Sequence, residues 1–346
     1  TGIHPALIDV TDIRSSREPA AEAKTDQYAE SIIERKLKMG FSRLKRIDPP
    51  DLNLMSSIQK ALVIGGGIAG MTAALAIADH GFEVDLIENK KDLGGNLLWL
   101  KQTIDGHDIQ LFLDETLEKI EKHPLLNTHT QTAVTSSFGR AGHFLTTIEN
   151  KEDQALQTIE HGAVILATGG IVAPTTSYGY GKSPLIVTHR ELEERLADKS
   201  IDPSGLETMV MIQCVDSRQK DQKNYCSRIC CSATLKHALN LKSANSDIAI
   251  YIFYRDMMTY GFIETYYTKA RQKGITFIQY DFENKPDVTL EDSNVIVTGF
   301  EPIIGAPIEI KADLLVLATG VLPSPPKDPA DYFGIPTDGL GFFEEA

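Results

Sequence analysis

Four cysteines, Cys214, Cys226, Cys230 and Cys231, stand within eighteen consecutive positions, and the sequence contains no others. Thiols at that density can surround one small object, and each candidate occupant makes its own demand. A structural zinc site usually offers a pair of short Cys-x2-4-Cys knuckles, which the C-x11-C-x3-C-C spacing does not supply. A disulfide between the adjacent Cys230 and Cys231 would strain the backbone, and nothing else points to an oxidising compartment. An iron–sulfur cluster needs four thiolates and tolerates irregular spacing. The local charges suit an anionic occupant, because Arg218, Lys220, Lys223 and Arg228 outnumber Asp216 and Asp221. A helix starting near Ser227 would also aim free N–H groups at it. On such a helix, running to Asn240, Cys226 and Cys230 share one face at i and i+4, with Cys231 turned about 100° away. Cys214 ends the apolar run Met209–Gln213 and would close the ring from the opposite side. Spacing alone leaves iron–sulfur, zinc and redox-active thiols open. Buried core cysteines fit less well, since Asp, Arg, Lys and Asn surround the four.

A second constellation lies earlier. An apolar strand, Lys60–Ile64, runs into Gly65-Gly-Gly67-Ile-Ala69-Gly70 and then into the helix-like Met71–Ala78. A further strand, Phe82–Ile87, ends on Glu88. The combination of strand, G-x-G-x-x-G, helix, strand and acidic end is the signature of a dinucleotide site. Gly65 permits the tight turn, Gly67 lets backbone reach a pyrophosphate, and Gly70 lets helix approach strand; the phosphates rest on the helix N-terminus, beside Ala69. Glu88 is placed to hold ribose hydroxyls. FAD is favoured over NAD by Leu93-Gly94-Gly95-Asn96-Leu97, by strands between Thr128 and Glu149 that carry Val134, and by Ala163–Gly170, which brings Thr168 and Gly169 to the cofactor a second time. Gly181-Lys182-Ser183 resembles the end of a P-loop, but Thr176 stands where that loop needs glycine, and ATP binding is rejected.

The elements that must position these residues follow in order. Residues 1–58 are expected to form a helical extension, with a basic amphipathic helix over Ala20–Ile47 ended by Pro49-Pro50. The expected FAD-binding domain covers 59–205 and closes with a short helix at Glu191–Leu196. A second Rossmann-like domain over 206–320 opens with strand 208–213, continues through the cysteine segment and a helix to about Leu241, and ends at Ala312–Gly320. Residues 321–346 return to the first domain. The fold class is thus α/β, with two dinucleotide-binding-type domains as in thioredoxin reductase. In the second, the cysteine segment occupies the place where a nicotinamide site would carry glycines, so electrons are expected to pass between flavin and cluster without hydride from a nicotinamide bound there.

Composition agrees with this class. A chain of 346 residues with 42% hydrophobic and 24% charged residues is long enough for two domains with real cores. The net charge of −14 argues against nucleic acid as a partner. No apolar run approaches the ~18 residues of a membrane span, and Thr1–Asp9 has no signal-peptide core, which leads to a cytoplasmic expectation.

Together these residues resemble the A-type subunit of heterodisulfide reductase over about residues 60 to 345. The carrying motifs are Ala61–Met71, Leu93–Asn96, Tyr178-Gly-Tyr-Gly181, the C-x11-C-x3-C-C pattern with Tyr225–Cys231, and Ala312–Gly320. The resemblance implies FAD and a [4Fe-4S] cluster ligated by Cys214, Cys226, Cys230 and Cys231. It implies an oxidoreductase component that is not self-sufficient, since no Cys-x-x-Cys stands next to the flavin. The short length and N-terminal helix are most similar to the A-type subunit of the heterodisulfide-reductase-like complex of bacterial sulfur oxidation. That likeness implies B- and C-type iron–sulfur subunits and a lipoate-carrying protein as partners. The late strand that usually walls the flavin is not seen before Ala346, so the expectation is either that another subunit or a second copy, as in a homodimer, completes it or that the sequence is truncated there. Two alternatives remain: the A-type subunit of a quinone-interacting complex of sulfate reducers, and a scaffold holding FAD and structural zinc.

Overall fold

The computed structural model describes residues 26–45, 56–219, 224–291, 294–324 and 328–344. The chain forms two compact units, Thr1–Ser56 and Ser57–Ala346. In the first, one helix, α1 (Asp26–Leu44), falls within the expected Ala20–Ile47, and the outer residues of that range lie outside the described ones. Glu34 and Lys38 pair across one turn of α1 at 2.6 Å.

The second unit begins with the expected strand and helix, β1 (Lys60–Ile64) and α2 (Ile68–Asp79), then β2 (Glu83–Ile87), α3 (Ile109–Lys122) and β3 (Leu126–His129). Three antiparallel strands follow, β4 (Thr132–Arg140), β5 (His143–Asn150) and β6 (Leu156–His161), before β7 (Ala163–Leu166) rejoins β1. The first parallel sheet therefore has the order β3-β2-β1-β7, with β4-β5-β6 as a separate sheet. The strand β1 reads as a continuous apolar run because both of its faces are covered. Leu62, packed with Ile64, Ile87, Ile148 and Ile159, and Val63, packed with Met71, Ala74 and Leu86, are fully buried on opposite sides. Each such side chain contributes about 1.5–3 kcal/mol of transfer free energy. Asp108 starts α3 by accepting from the amides of Gln110 and Leu111 at 2.8 and 3.1 Å.

The chain then crosses through β8 (Gly170–Val172) to β9 (Ile186–Thr188), α4 (His189–Ala197), β10 (Thr208–Ile212), α5 (Cys230–Ala244), β11 (Ala249–Tyr254), α6 (Glu264–Gln272) and β12 (Thr276–Gln279). An antiparallel set, β13 (Asp287–Glu291), β14 (Asn294–Glu301) and β15 (Ala306–Ala312), leads to β16 (Leu314–Leu317), β17 (Val321–Pro323) and α7 (Asp328–Phe333). The second parallel sheet has the order β12-β11-β10-β16-β9. Two expectations change here. The strand β9 pairs with β16, so the helix expected to close the first domain belongs to the second sheet, and the expected boundary at 205/206 falls inside that sheet's share of the chain. The helix of the cysteine segment starts at Cys230, not Ser227, so Cys226 lies on the loop before it rather than on its face.

Candidate functional site

At the end of β1 the backbone turns at Gly65, whose φ of +114° suits only glycine and where a Cβ would lie 2.2 Å from the Ala167 oxygen. Gly70 is equally constrained, since a Cβ there would meet the Gly65 oxygen at 1.8 Å. Gly67 differs, because nothing lies within 4 Å of its missing side chain, and it precedes a first turn of α2 that no side chain caps and no acidic residue occupies. Ala69 is exposed on that turn. Gly94 donates to the Gly66 oxygen at 2.7 Å and a Cβ on Gly95 would lie 3.1 Å from the Cα of Gly67, so the two glycine stretches meet. Thr168 follows directly on the Ala167 carbonyl that crowds Gly65. The side chain of Asn96 donates to the Gly170 oxygen at 3.1 Å and accepts from Trp99 Nε1 at 3.1 Å.

Glu88 is buried, and its two carboxylate oxygens accept from the amides of Gly66 at 2.7 Å and Lys90 at 2.8 Å. Each oxygen keeps a lone pair for another donor. The carboxylate thus shapes the turn as well as facing it, a role that spacing does not show. Two expected residues sit apart: Leu97 is buried with Leu113 and Met71, and Val134 packs with Ile64 and Ile87 beside a bulge in β4.

The cysteine segment leaves the C-terminal end of β10. Cys214, Asp216 and Arg218 all have positive φ, at 59°, 51° and 56°. Alternation of left-handed residues of this kind forms the concave backbone turns that hold anions. The loop is tied down from several directions. Asp216 accepts from the hydroxyls of Thr175 and Ser177 at 2.5 and 2.6 Å, and Val215 donates to the Ala318 oxygen at 3.0 Å. On the other side, Tyr225 donates from its hydroxyl to the Val321 oxygen at 2.5 Å, and Ser227 Oγ accepts from the Val321 amide at 2.9 Å. A Cβ on Gly320 would meet Ser227 Oγ at 2.7 Å and the Cys230 sulfur at 3.9 Å.

All four cysteines are free thiols. Cys226 Sγ accepts from the Arg228 amide and Cys231 Sγ from the Met258 amide, both at 3.4 Å. Burial first, then the nearby charges of Cys231, Cys214 and Cys226, push the Cys230 thiol up to about 12. Burial likewise takes Cys231 up to about 11. Among the described residues, no three His, Cys, Asp or Glu side chains already stand at metal-ligand spacing. Lys220, Asp221 and Lys223, counted among the local charges, lie outside the described residues. Sequence reasoning missed the loop 255–258, which reaches Cys231 through Met258 and the Cys214 loop through Arg255. Its residue types carry no signal of that contact.

A family model described as pyridine nucleotide-disulphide oxidoreductase matches residues 59–201. The thioredoxin reductase of Lactococcus lactis superposes with a TM-score of 0.53 at 18% identity, covering 83% of this chain and 85% of that one, which is a likeness of fold. The family match, the relatives and the fold together mark an oxidoreductase subunit of thioredoxin-reductase-like fold. More particularly, the chain is similar over most of its length to A-type subunits of heterodisulfide reductase. It is 29% identical to one of these, an iron-sulfur subunit of the CoB–CoM heterodisulfide reductase of Methanopyrus kandleri, over 99% of this chain and 66% of that protein. It is 26% identical to the A-type subunit of the ferredoxin:CoB-CoM heterodisulfide reductase of Methanosarcina acetivorans, over 100% of this chain and 58% of that one. The chain thus spans 58% to 66% of the length of these relatives. No helix among the described residues is long and apolar enough to cross a membrane.

Proposed function

We propose that the chain is an electron-transferring component of a heterodisulfide-reductase-like complex in thiol and disulfide metabolism, serving sulfur oxidation, with FAD at the glycine turn and a [4Fe-4S] cluster on Cys214, Cys226, Cys230 and Cys231. The observation that carries this reading is that β10 runs into Cys214 in a left-handed turn and α5 opens on Cys230 and Cys231, where a second dinucleotide site would need glycines. The residues suit both groups. The open side of Gly67 and the uncapped first turn of α2 leave room and N–H donors for a pyrophosphate, and Glu88 faces the ribose position. Four soft donors without a carboxylate among them, a concave backbone turn and the N-terminus of α5 suit an anionic iron–sulfur centre. Residues 224–229, which carry Cys226, form neither helix nor strand.

When bound, the flavin exchanges electrons in pairs and the cluster exchanges them singly. The chain's own part is to hold the two centres on adjoining sheets and to exclude nicotinamide from the second. Partners of the B- and C-type iron–sulfur kind and a lipoate-carrying protein would supply the thiol or disulfide chemistry. Protein purified without oxygen should hold about four iron and four sulfide per chain. Alanine at any of the four cysteines should abolish that content while leaving the flavin bands. Zinc in place of iron, with a flavin that cannot be reduced, would sink the proposal in favour of a scaffold. Proteins co-purified from the native cell would decide the sulfur-oxidation assignment.

A further inference from the structure

A cavity of about 450 Å³ opens beyond the carboxyl ends of β11 and β12, and no cysteine lines it. Its walls include Arg255, directly after β11, Phe282 and Asn284, shortly after β12, Phe300 near the end of β14, and Arg218 from the loop of Cys214. Ligand pockets run to roughly 300–1,000 Å³, and α/β sheets bind ligands in crevices at this end of their strands. Arg255 is the unusual wall. It is 6% exposed, and its terminal nitrogens donate to neutral groups, the Ser217 oxygen at 2.6 Å and the Arg218 oxygen at 2.9 Å. Its Nε is buried without a hydrogen-bond partner, and among the described residues no carboxylate pairs with it. A buried cation held only by carbonyls is costly unless an anion meets it. The carboxylates of the wall are engaged elsewhere, Asp256 by Arg218 Nη2 at 2.6 Å and Asp281 by the amides of Glu283 and Asn284 at 2.8 Å. Arg218 Nη1 is a second buried donor without a partner. Phe282 and Phe300, 38% and 40% exposed, add aromatic surface to the same cavity, and the Phe282 ring centroid lies 4.6 Å from the Arg255 guanidinium carbon.

The two halves of the unit invite a direct comparison. In the first, β1 pairs in parallel with β2, and the residue after β2 is Glu88, an acid suited to ribose hydroxyls. In the second, β10 pairs in parallel with β11, and the residue after β11 is Arg255. An arginine at that place suits a phosphate on the ribose 2′-oxygen instead. We propose that this cavity binds a nucleoside 2′-phosphate, its base against Phe282 and Phe300 and its phosphate at Arg255 and Arg218. Where a dinucleotide site would carry pyrophosphate-binding glycines, β10 leads into Cys214, so the cavity reads the nucleoside end alone and its occupant delivers no hydride to the flavin. The inference goes beyond the proposed function and does not require that the cysteines hold a metal.

The test is calorimetric titration of the full chain, with FAD in excess so that the glycine turn is occupied, using adenosine 2′-phosphate, adenosine 5′-phosphate and inorganic phosphate. Adenosine 2′-phosphate should bind about tenfold or more tightly than inorganic phosphate, because the base adds stacking on the rings, and more tightly than adenosine 5′-phosphate. Phe300→Ala should weaken adenosine 2′-phosphate about fivefold or more and leave inorganic phosphate unchanged. Arg218→Gln should weaken both, since it removes a charged donor from the phosphate. No binding of adenosine 2′-phosphate, binding no tighter than inorganic phosphate, a preference for the 5′-phosphate, or binding untouched by Phe300→Ala overturns the inference. If Arg218→Gln does not fold, Phe300→Ala decides alone; if Phe300→Ala does not fold, Arg218→Gln decides. Each of these results leaves the iron and sulfide content of the chain as it was, so the failure of this inference and the failure of the electron-transfer reading are told apart.

Discussion

At the scale of single residues, the glycines of the dinucleotide turn divide by what surrounds them. Gly65 and Gly70 serve the fold, since a Cβ at either would run into backbone oxygen at 2.2 and 1.8 Å. Gly67 is not needed by the fold in this way, because its φ of −78° is open to any residue and its Cβ direction is empty, which leaves that side to the proposed FAD. Gly67→Ala should therefore fold with stability changed by no more than about 1 kcal/mol, yet lose most of its FAD. Gly70→Ala should fail to give a folded protein at all. Flavin absorbance per chain, read beside a thermal melt of the apo form, separates the two outcomes; equal FAD retention in Gly67→Ala would refute the assignment. The glycine spacing could be read from sequence because its stereochemistry is local. The conformation of Cys214 could not, since nothing in the residue type announces a left-handed φ of 59°, and the surrounding contacts from Ala318 and Arg255 that impose it come from more than 35 positions away.

At the scale of elements, the apolar runs of β1, β10 and β16 were legible because strands covered on both faces read as continuous hydrophobic stretches. Which strand neighbours which was not, and β9 shows why: parallel pairing to β16 joins positions more than a hundred residues apart without any turn to mark it. Also hidden was a buried ion pair between two helices of that sheet. Glu193 of α4 and Lys236 of α5 meet at 2.6 Å, both about 5% exposed. Glu193 accepts from the Lys101 amide at 2.8 Å, and Lys236 donates to the Gln102 oxygen at 3.2 Å, so the pair pins the segment after the Gly95–Leu98 turn to the helix that begins with two cysteines. Lys236→Met alone should cost about 3–5 kcal/mol by stranding the carboxylate, whereas Lys236→Met with Glu193→Leu should recover much of it. Urea unfolding of the two variants checks this. Beside the pair, burial and the Lys236 charge hold the His237 pKa down at about 3 against an ordinary 6.5. The unfolded chain therefore binds the extra proton between those values, so the stability is complete above pH 6.5 and is lost as pH falls toward 3. Melting temperature should drop from about pH 7.5 to about pH 5.5, and His237→Gln should shrink the drop; an equal drop in the variant would exclude this origin.

At the scale of the whole second unit, the two sheets are joined by the short ribbon of β8 and β17, and the cysteine segment is fastened to that ribbon rather than to either sheet alone. Tyr225 and Ser227 both bond to Val321, the Ala173 amide donates to the Gly320 oxygen at 3.1 Å, and Phe342 packs its ring 5.2 Å from that of Tyr225. The region after the ribbon returns to the first half, where Phe333 meets Phe144 edge-on at 5.7 Å. A three-residue ribbon carries too little pattern for the sequence to mark it as the joint. This placement makes the occupancy of the cysteines a property of the whole unit. If they hold a metal centre, binding fixes Cys226, and through its neighbours Tyr225 and Ser227 it fixes Val321. Stripping the metal with a chelator should therefore speed amide hydrogen exchange at Ala173 and Val321 by tenfold or more, a local opening easier by about 1.4 kcal/mol. Exchange in β1 and β2, which lie beyond the ribbon, should stay unchanged. Ser227→Ala, which removes the acceptor of the Val321 amide without touching a thiol, should reproduce the faster exchange at Val321 in protein that still holds its metal. Uniform acceleration across both sheets on metal removal would instead mean that the centre supports the fold globally, and that the ribbon is not the element coupling the two sites.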